Sequence, residues 1–206
     1  MTAEPLFPIF LKLQDRLVLV VGAGPVAAGK AATLVKAGAA VTVVAPEVCD
    51  AMQRLPVAIA RRAFRESDLE GAWLVIAAAP PEVNREVTEA ASALRIFVNA
   101  VDDPAHATAY TGSVVTRDPV MLAVSTSGLA PALAGLLREA LDDLLPADLD
   151  AWVDEAVRQR GEWRRDGVPI EARRDRLLDR LNEIHGKRNA AGARGTNAVS
   201  PLGDPL

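Results

Sequence analysis

The feature that most constrains this chain is a glycine-rich junction between a β-branched run and an alanine-rich stretch. Leu17–Val21 predicts a strand, and residues 26–37 have the composition of a helix that Gly38 ends. Between them, residues 22–27 read Gly-Ala-Gly-Pro-Val-Ala, a G-x-G-x-x-A pattern. Its first glycine permits a tight turn, its second admits a pyrophosphate, and the small Ala27 lets the helix approach the strand. The pattern predicts a dinucleotide-binding loop.

The alternation of strand and helix continues along the chain. Further strands are predicted over 41–44, 57–60, 73–78 and 96–100, with a helix over 82–94. Strands that alternate with helices form parallel sheets, because parallel neighbours need a long crossover. The strands are nearly continuous apolar runs, which is typical of a sheet buried on both faces. We therefore predict an α/β fold with a Rossmann-type parallel sheet.

The rhythm changes after residue 104. Two β-rich runs over 113–116 and 120–125 have the spacing of an antiparallel hairpin, and leucines recur at helical spacing over 131–144. Two further helices with dense mixed charge are predicted over 147–159 and 170–185. The last stretch is rich in Gly, Ala, Asn and Pro and has no periodicity.

These observations predict four segments. They are a dinucleotide-binding Rossmann domain over 1–112, a hairpin and helix for dimerisation over 113–146, a small helical C-terminal domain over 147–186, and a disordered tail over 187–206. The hairpin and the leucine-rich helix expose more apolar surface than one Rossmann sheet can cover, so we expect a homodimer.

Composition excludes several classes of partner. The net charge is −4, so no overall basic footprint points to nucleic acid, and no apolar run approaches the length of a membrane span. One cysteine excludes an intramolecular disulfide framework, and with no signal-like start we expect a cytoplasmic protein. Two histidines and one cysteine without ligand spacing predict no protein-held metal site.

The cofactor site is predicted from the loops that follow the strands. The pyrophosphate is assigned to the glycine loop, the ribose to the end of the second strand, and the nicotinamide side to the fifth strand. The predicted cofactor-binding residues are Gly22, Ala23, Gly24, Pro25, Val26, Ala45, Pro46, Glu47 and Asn99. No Arg or Lys lies in residues 44–49 to receive a 2′-phosphate, so NAD is favoured over NADP.

Four stretches, taken in order, go beyond a generic Rossmann pattern. They are Phe-Pro-Ile-Phe-Leu at 7–11, Val-Val-Gly-Ala-Gly-Pro-Val-Ala at 20–27 with Lys30, Val-Asn-Ala-Val-Asp at 98–102, and Val-Ser-Thr-Ser-Gly at 124–128 with Pro131. Together they resemble the precorrin-2 dehydrogenase and sirohydrochlorin ferrochelatase family, which includes the N-terminal half of siroheme synthase. Two positions depart from the family pattern, where Gly29 replaces a common arginine and Ala130 a common serine.

The resemblance implies an activity and a fold. The implied activity is NAD-dependent oxidation of precorrin-2 to sirohydrochlorin. Several members of the family also catalyse a lyase step that inserts Fe²⁺ to give siroheme, so Fe²⁺ is expected as a possible further substrate. The implied fold is a Rossmann domain, a dimerisation hairpin and a helical C-terminal unit. Asp102 matches the family's functional aspartate, implied to act as general base or proton acceptor.

Each site residue also has a structural interpretation. Asp102 or Asp103 could cap a turn before Pro104, and Asn99 could satisfy backbone groups at the strand end. Thr126 aligns with a hydroxyl residue of the family and is a candidate to contact substrate carboxylates, or it could be an exposed turn hydroxyl. A substrate with eight carboxylates needs cationic donors. The candidates are Arg117 and Arg138, together with one or more of Arg158, Arg160, Arg164 and Arg165.

Two other functions remain open. The chain could be a regulatory module that binds NAD without tetrapyrrole turnover, or a chelatase that has lost dehydrogenation. In the second case the metal would be held mainly by the pyrrole nitrogens of the substrate. Both alternatives are separated from the dehydrogenase by an assay of turnover.

Overall fold

A computed structural model describes residues 5–192 and contains the predicted α/β sheet. Five parallel strands lie in the order β3-β2-β1-β4-β5. The elements of this part are β1 (Leu17–Val21), α1 (Pro25–Lys36), β2 (Ala40–Val44), α2 (Asp50–Gln53), β3 (Ala58–Ala60), β4 (Leu74–Ala77), α3 (Pro81–Ala93) and β5 (Phe97–Ala100). The Rossmann-type prediction is confirmed. The predicted bounds of the five strands, α1 and α3 differ from the observed ones by one residue at most at each end, whereas α2 was not predicted.

The strand order fixes where a ligand can bind. The chain runs outward from β1 to β2 and β3, then returns to the other side of β1 for β4 and β5. The loops that follow β1 and β4 therefore leave the sheet on opposite sides and open a crevice at its carboxyl edge. This switch point lies beside the glycine-rich loop.

The sheet is buried on both faces, as its apolar strands predict. Val18 and Val20 point to one face, where they join a cluster that includes Leu34 of α1. Leu19 and Val21 point to the other, where the cluster includes Val87 of α3. The four valine and leucine side chains are at most 2% exposed, which fixes the register of β1 against slippage.

The rest of the described chain consists of a hairpin and three helices. They are β6 (Ser113–Arg117), β7 (Val120–Val124), α4 (Pro131–Leu144), α5 (Leu149–Arg165) and α6 (Ile170–Gly192). α5 and α6 both extend past the ends predicted for them at 159 and 185. Residues 187–192, expected in a disordered tail, form the end of α6, and the remainder of that tail lies outside the described residues.

Contacts within the chain group the described residues into two compact units. The first holds residues 5–114 and 123–139, and the second holds 115–122 and 140–192. The functional division at 113, 147 and 187 stays a prediction, because contact grouping does not test which segments act separately. Each helix within 5–192 is too short or too polar to cross a bilayer.

Candidate functional site

Gly22 locks the glycine-rich loop against two neighbouring strands. It has φ of +102°, a conformation that L side chains rarely adopt, and its N–H donates to the Val44 carbonyl at 2.9 Å. A Cβ placed on Gly22 would lie 2.2 Å from the Ala78 carbonyl oxygen. The close approach of the loops after β1 and β4 therefore depends on the missing side chain.

Gly24 faces open space at the start of α1. It is the N-cap residue, in extended backbone conformation, and a Cβ there would meet no atom within 4 Å. Pro25 occupies the first helical turn, and no side chain caps the helix. The first N–H groups of a helix have no partner within it, and its positive end favours an anion. These residues fit the pyrophosphate of a dinucleotide.

The loop after β2 lies beside the glycine-rich loop. The Cys49 N–H donates to the Ala23 carbonyl at 3.0 Å. Ala45 is buried, and its N–H donates to the Ala60 carbonyl at 3.2 Å. Pro46 and Glu47 are exposed at the tip. The structure thus brings both predicted parts of the cofactor site, the pyrophosphate and ribose loops, to one edge of the sheet.

A cavity of about 330 Å³ opens at the carboxyl end of β5 within the first unit. α1, the segment after β5 and the residues around the start of α4 contribute its walls. Four of the predicted site residues lie together in its lining, namely Val26, Asn99, Asp102 and Thr126. The cofactor edge and the predicted catalytic aspartate are therefore neighbours in the fold.

Asp102 and Asp103 have different surroundings. Asp102 sits directly after β5 in a left-handed conformation with φ of +58°, which aspartate tolerates better than most residues. Asp102 lines the cavity, and its carboxylate makes no hydrogen bond among the described residues. The Asp103 carboxylate instead holds the His106 ring at 2.8 Å, three residues along the turn. The turn-stabilising contact thus belongs to Asp103.

Asn99 and Thr126 each make a local contact as well as lining the cavity. The Asn99 side chain is buried and donates to the Ala109 carbonyl at 2.9 Å, which ties the strand end to the following loop. Thr126 Oγ1 accepts the Ala130 N–H at 3.2 Å at the start of α4. These contacts favour the structural interpretation of both residues, while their position in the lining keeps a ligand contact open.

Lys30 is a cavity residue that was quoted in the sequence motif but not predicted as part of the site. Its Nζ donates to Thr111 Oγ1 at 2.7 Å, and Thr111 Oγ1 lies 3.5 Å from Asn99 Oδ1. Burial lowers the pKa of the Lys30 ammonium, an effect that the negative charge of Asp102 partly offsets. Lys30 follows Val26 by four residues, so helical spacing alone places both on one face.

The arginines predicted to bind substrate are engaged elsewhere. Arg117 belongs to the second unit, where it pairs with Asp142 at 2.8 Å. Arg138 pairs with Glu139 at 2.9 Å and is absent from the cavity lining. Of the further candidates, Arg158 pairs with carboxylates of its own helix. Within residues 5–192 no group of three or more His, Cys, Asp or Glu side chains is placed to hold a metal ion.

Comparisons with known proteins agree with this geometry. The model of a family described as "Putative NAD(P)-binding" matches residues 9–113. The siroheme synthase of Photorhabdus laumondii is 39% identical over 187 residues, which cover 88% of this chain and 37% of that protein. Siroheme synthase 3 of Aeromonas hydrophila is 41% identical over 196 residues, covering 90% and 42%.

A third relative and a solved structure complete the comparison. The siroheme synthase of Citrobacter koseri is 46% identical over 147 residues, which are 69% of this chain and 32% of that protein. The chain thus spans between 32% and 42% of the length of these three curated relatives. The structure named SirC, precorrin-2 dehydrogenase shares the fold with a TM-score of 0.63 at 22% identity, covering 84% of this chain and 88% of that one.

The family resemblance inferred from the sequence motifs is confirmed by these relatives. The matched residues 9–113 contain the glycine-rich loop, the sheet and Asp102. The chain belongs to the NAD(P)-binding family of that model and is a relative of the siroheme synthases.

Proposed function

We propose that this protein is an NAD-dependent dehydrogenase that oxidises precorrin-2 to sirohydrochlorin. The observation that carries the proposal is the cavity that joins Asp102 to the cofactor edge of the sheet. The names of the relatives support the tetrapyrrole substrate, since siroheme is an iron derivative of sirohydrochlorin. The exposed carboxylate of Asp102 supplies a base at the place where a substrate must meet the cofactor.

The reaction removes a hydride and a proton from the macrocycle, and the chain's residues have separate tasks in it. The glycine-rich loop and the start of α1 hold the pyrophosphate, through N–H groups at Val26 and Ala27 that have no partner within the helix. When bound, NAD⁺ supplies the hydride acceptor. Asp102 takes the proton that leaves the substrate, so the products are sirohydrochlorin, NADH and a protonated Asp102 that returns its proton to solvent.

NAD rather than NADP is the proposed cofactor. Glu47 is exposed in the loop beside the glycine-rich loop, where its carboxylate suits a ribose hydroxyl and repels a 2′-phosphate. Residues 44–49 contain no cation. We expect NADH to bind at least about tenfold more tightly than NADPH in a fluorescence titration. Tighter binding of NADPH would contradict this role for Glu47.

Insertion of Fe²⁺ into sirohydrochlorin is proposed as a second activity. The name siroheme synthase, carried by the relatives, favours it, because siroheme contains iron. The Fe²⁺ would be a substrate held mainly by the pyrrole nitrogens, since the described residues offer no cluster of three ligands for it. In this proposal Asp102, which lines the cavity, accepts the two displaced pyrrole protons one after the other and passes each to solvent.

We also propose that the protein acts as a homodimer in the cytoplasm. The dimer is supported by exposed leucines of α4, and a reducing compartment suits a chain with one cysteine.

One assay tests the dehydrogenase against its alternatives. Enzymatically made precorrin-2 and NAD⁺ should give NADH absorbance, and later addition of Fe²⁺ or Co²⁺ should change the tetrapyrrole spectrum. NAD⁺ binding without NADH formation would favour a regulatory module instead.

A further inference from the structure

We infer that the Lys30 ammonium is the binding point for a carboxylate of the substrate in the cavity beside Asp102. The inference rests on the proposed function, because it takes the polycarboxylate tetrapyrrole as the ligand. It assigns a positive group to a cavity whose lining contains none of the arginines suggested by the sequence.

The geometry of Lys30 is that of an ammonium with spare hydrogen-bonding capacity. An ammonium has three N–H donors. One of them is used by Thr111 Oγ1 at 2.7 Å, and no carboxylate lies within 4.0 Å of Nζ among the described residues. Two donors are therefore available to a ligand that enters the cavity.

Lys30 is also partly removed from water without a close counter-charge. Its side chain is half-buried, and burial lowers its pKa while Asp102 acts only through its more distant charge. A desolvated cation is costly unless it is paired. An incoming carboxylate would supply the missing partner, so the site is electrostatically prepared for an anion.

No other residue of the cavity lining carries a positive charge. Lys30 is the one cation among the residues that line it. The two aspartates in the lining, Asp102 and Asp103, repel anions, and Asp103 already holds His106. One of the substrate's peripheral carboxylates is thus drawn to Lys30 on the α1 side of the cavity and repelled by Asp102. This polarity orients the macrocycle with its reacting carbon, rather than a carboxylate, toward Asp102.

A cofactor phosphate is a less suitable partner than a substrate carboxylate. The pyrophosphate belongs at the open N-terminus of α1, in front of Gly24. Lys30 lies more than one helical turn beyond Gly24 and lines the cavity with Thr111 and Asp102. Loss of the Lys30 charge should therefore weaken substrate binding and leave cofactor binding unchanged.

The test compares Lys30→Met with Lys36→Met. Lys36 is an exposed lysine in the last turn of the same helix, so its variant loses the same charge outside the cavity. The probes are uroporphyrin, a fluorescent tetrapyrrole with eight carboxylates, and NADH. We expect Lys30→Met to weaken uroporphyrin binding about tenfold or more, with NADH binding unchanged. Lys36→Met should leave both affinities as in the wild type.

A second variant and a kinetic measurement guard against a folding defect. Lys30→Arg keeps the charge and should retain most of the uroporphyrin affinity, while Lys30→Met should raise KM for precorrin-2 more than it lowers kcat. Circular dichroism and the melting temperature establish that each variant is folded.

Three results would overturn the inference. They are wild-type uroporphyrin affinity in Lys30→Met, an equal loss of NADH affinity in that variant, and absence of uroporphyrin binding to the wild type. Failure of the proposed function is distinguishable from these. If uroporphyrin binding depends on Lys30 but the wild type forms no NADH from precorrin-2, the carboxylate site is supported and the dehydrogenase is not.

Discussion

Two glycines of the same loop lack a side chain for different reasons. Gly22 has a positive φ and almost touches the Ala78 carbonyl, whereas Gly24 has an ordinary φ of −77° and open space before it. The first therefore serves the packing of the protein, and the second leaves the space that the proposed cofactor needs. A pair of alanine substitutions separates these two roles.

Gly22→Ala should destabilise the fold by about 3 kcal/mol, since strained backbone and a steric overlap add together. Gly24→Ala should leave the melting temperature within about 2 °C of the wild type and weaken NADH binding about tenfold. Thermal denaturation and NADH fluorescence titration measure the two effects. If Gly24→Ala bound NADH with wild-type affinity, the pyrophosphate would not lie against Gly24.

Asp102 and Asp103 form a second matched pair. Asparagine is the appropriate replacement at Asp102, because it tolerates the positive φ that alanine would strain. Asp102→Asn should reduce turnover about 10²- to 10⁴-fold with NADH affinity kept within about twofold, since the proposed pyrophosphate site is the glycine-rich loop. Steady-state rates and titration give both numbers.

Asp103→Asn is the control for that experiment. It weakens the contact with His106 on the turn and should keep most of the turnover. A folded Asp102→Asn enzyme that retains more than about a tenth of normal turnover would remove Asp102 from the chemistry.

At the scale of elements, prediction succeeds where the signal is local. The β-branched runs and the glycine pattern identify β1, α1 and β2, because periodicity and turn chemistry act within a few residues. The predicted end of the first C-terminal helix at residue 159 is wrong, since Trp163 is buried and the helix continues through Gly161. Burial of Trp163, a tertiary contact that the local pattern does not reveal, extends the helix beyond the predicted end.

The candidate site likewise has features that local sequence predicts and features that depend on tertiary contacts. Lys30 lies four residues after Val26, so helical spacing alone predicts that it shares the face of α1 that lines the cavity. Its contact with Thr111 joins residues 81 positions apart and depends on how the sheet returns the chain to α1. The pairing of Arg117 with Asp142 likewise follows from tertiary contacts that a single sequence does not reveal.

A carboxylate network joins α5 and α6. Glu155 of α5 accepts hydrogen bonds from Arg158 and Gln159 of its own helix, at 3.0 and 3.1 Å. It also accepts one from Arg180 of α6 at 2.9 Å. The hydrogen bond from Arg158 is the largest of the influences that lower the Glu155 pKa, from 4.5 to about 2. Because the folded-state pKa is depressed, the stabilisation is complete above about pH 4.5 and is lost as the pH falls toward about 2.

Glu155→Gln should therefore lower the melting temperature by a few degrees at pH 7, and the difference from the wild type should shrink between pH 4.5 and 2.5, as Glu155 itself becomes protonated. Calorimetry across this range measures it. Asp175→Asn is the control, because its pair with Arg174 is exposed and contributes little. A gap between Glu155→Gln and the wild type that stays constant down to pH 2.5 would exclude Glu155 as its source.

At the scale of the whole molecule, exposed apolar side chains favour self-association. Leu133, Leu136 and Leu137 on α4 are 49%, 63% and 42% exposed, and they recur at helical spacing. Phe7 and Phe10, before β1, are 86% and 66% exposed. Soluble monomers rarely expose clustered apolar side chains on this scale. A second copy of the chain would cover them in a symmetric dimer.

The wild-type protein should therefore sediment at micromolar concentration as a dimer of the 21.8 kDa chain. Leu136→Glu should shift it toward monomer, because a charge placed at the centre of an apolar contact must be desolvated without a partner. Leu94→Glu is the matched control, since Leu94 is 56% exposed at the end of α3 and its replacement should leave the dimer intact. Sedimentation velocity distinguishes the species. If the wild type is a monomer, or if Leu94→Glu dissociates the dimer while Leu136→Glu does not, the leucine face of α4 is not the surface that joins two copies.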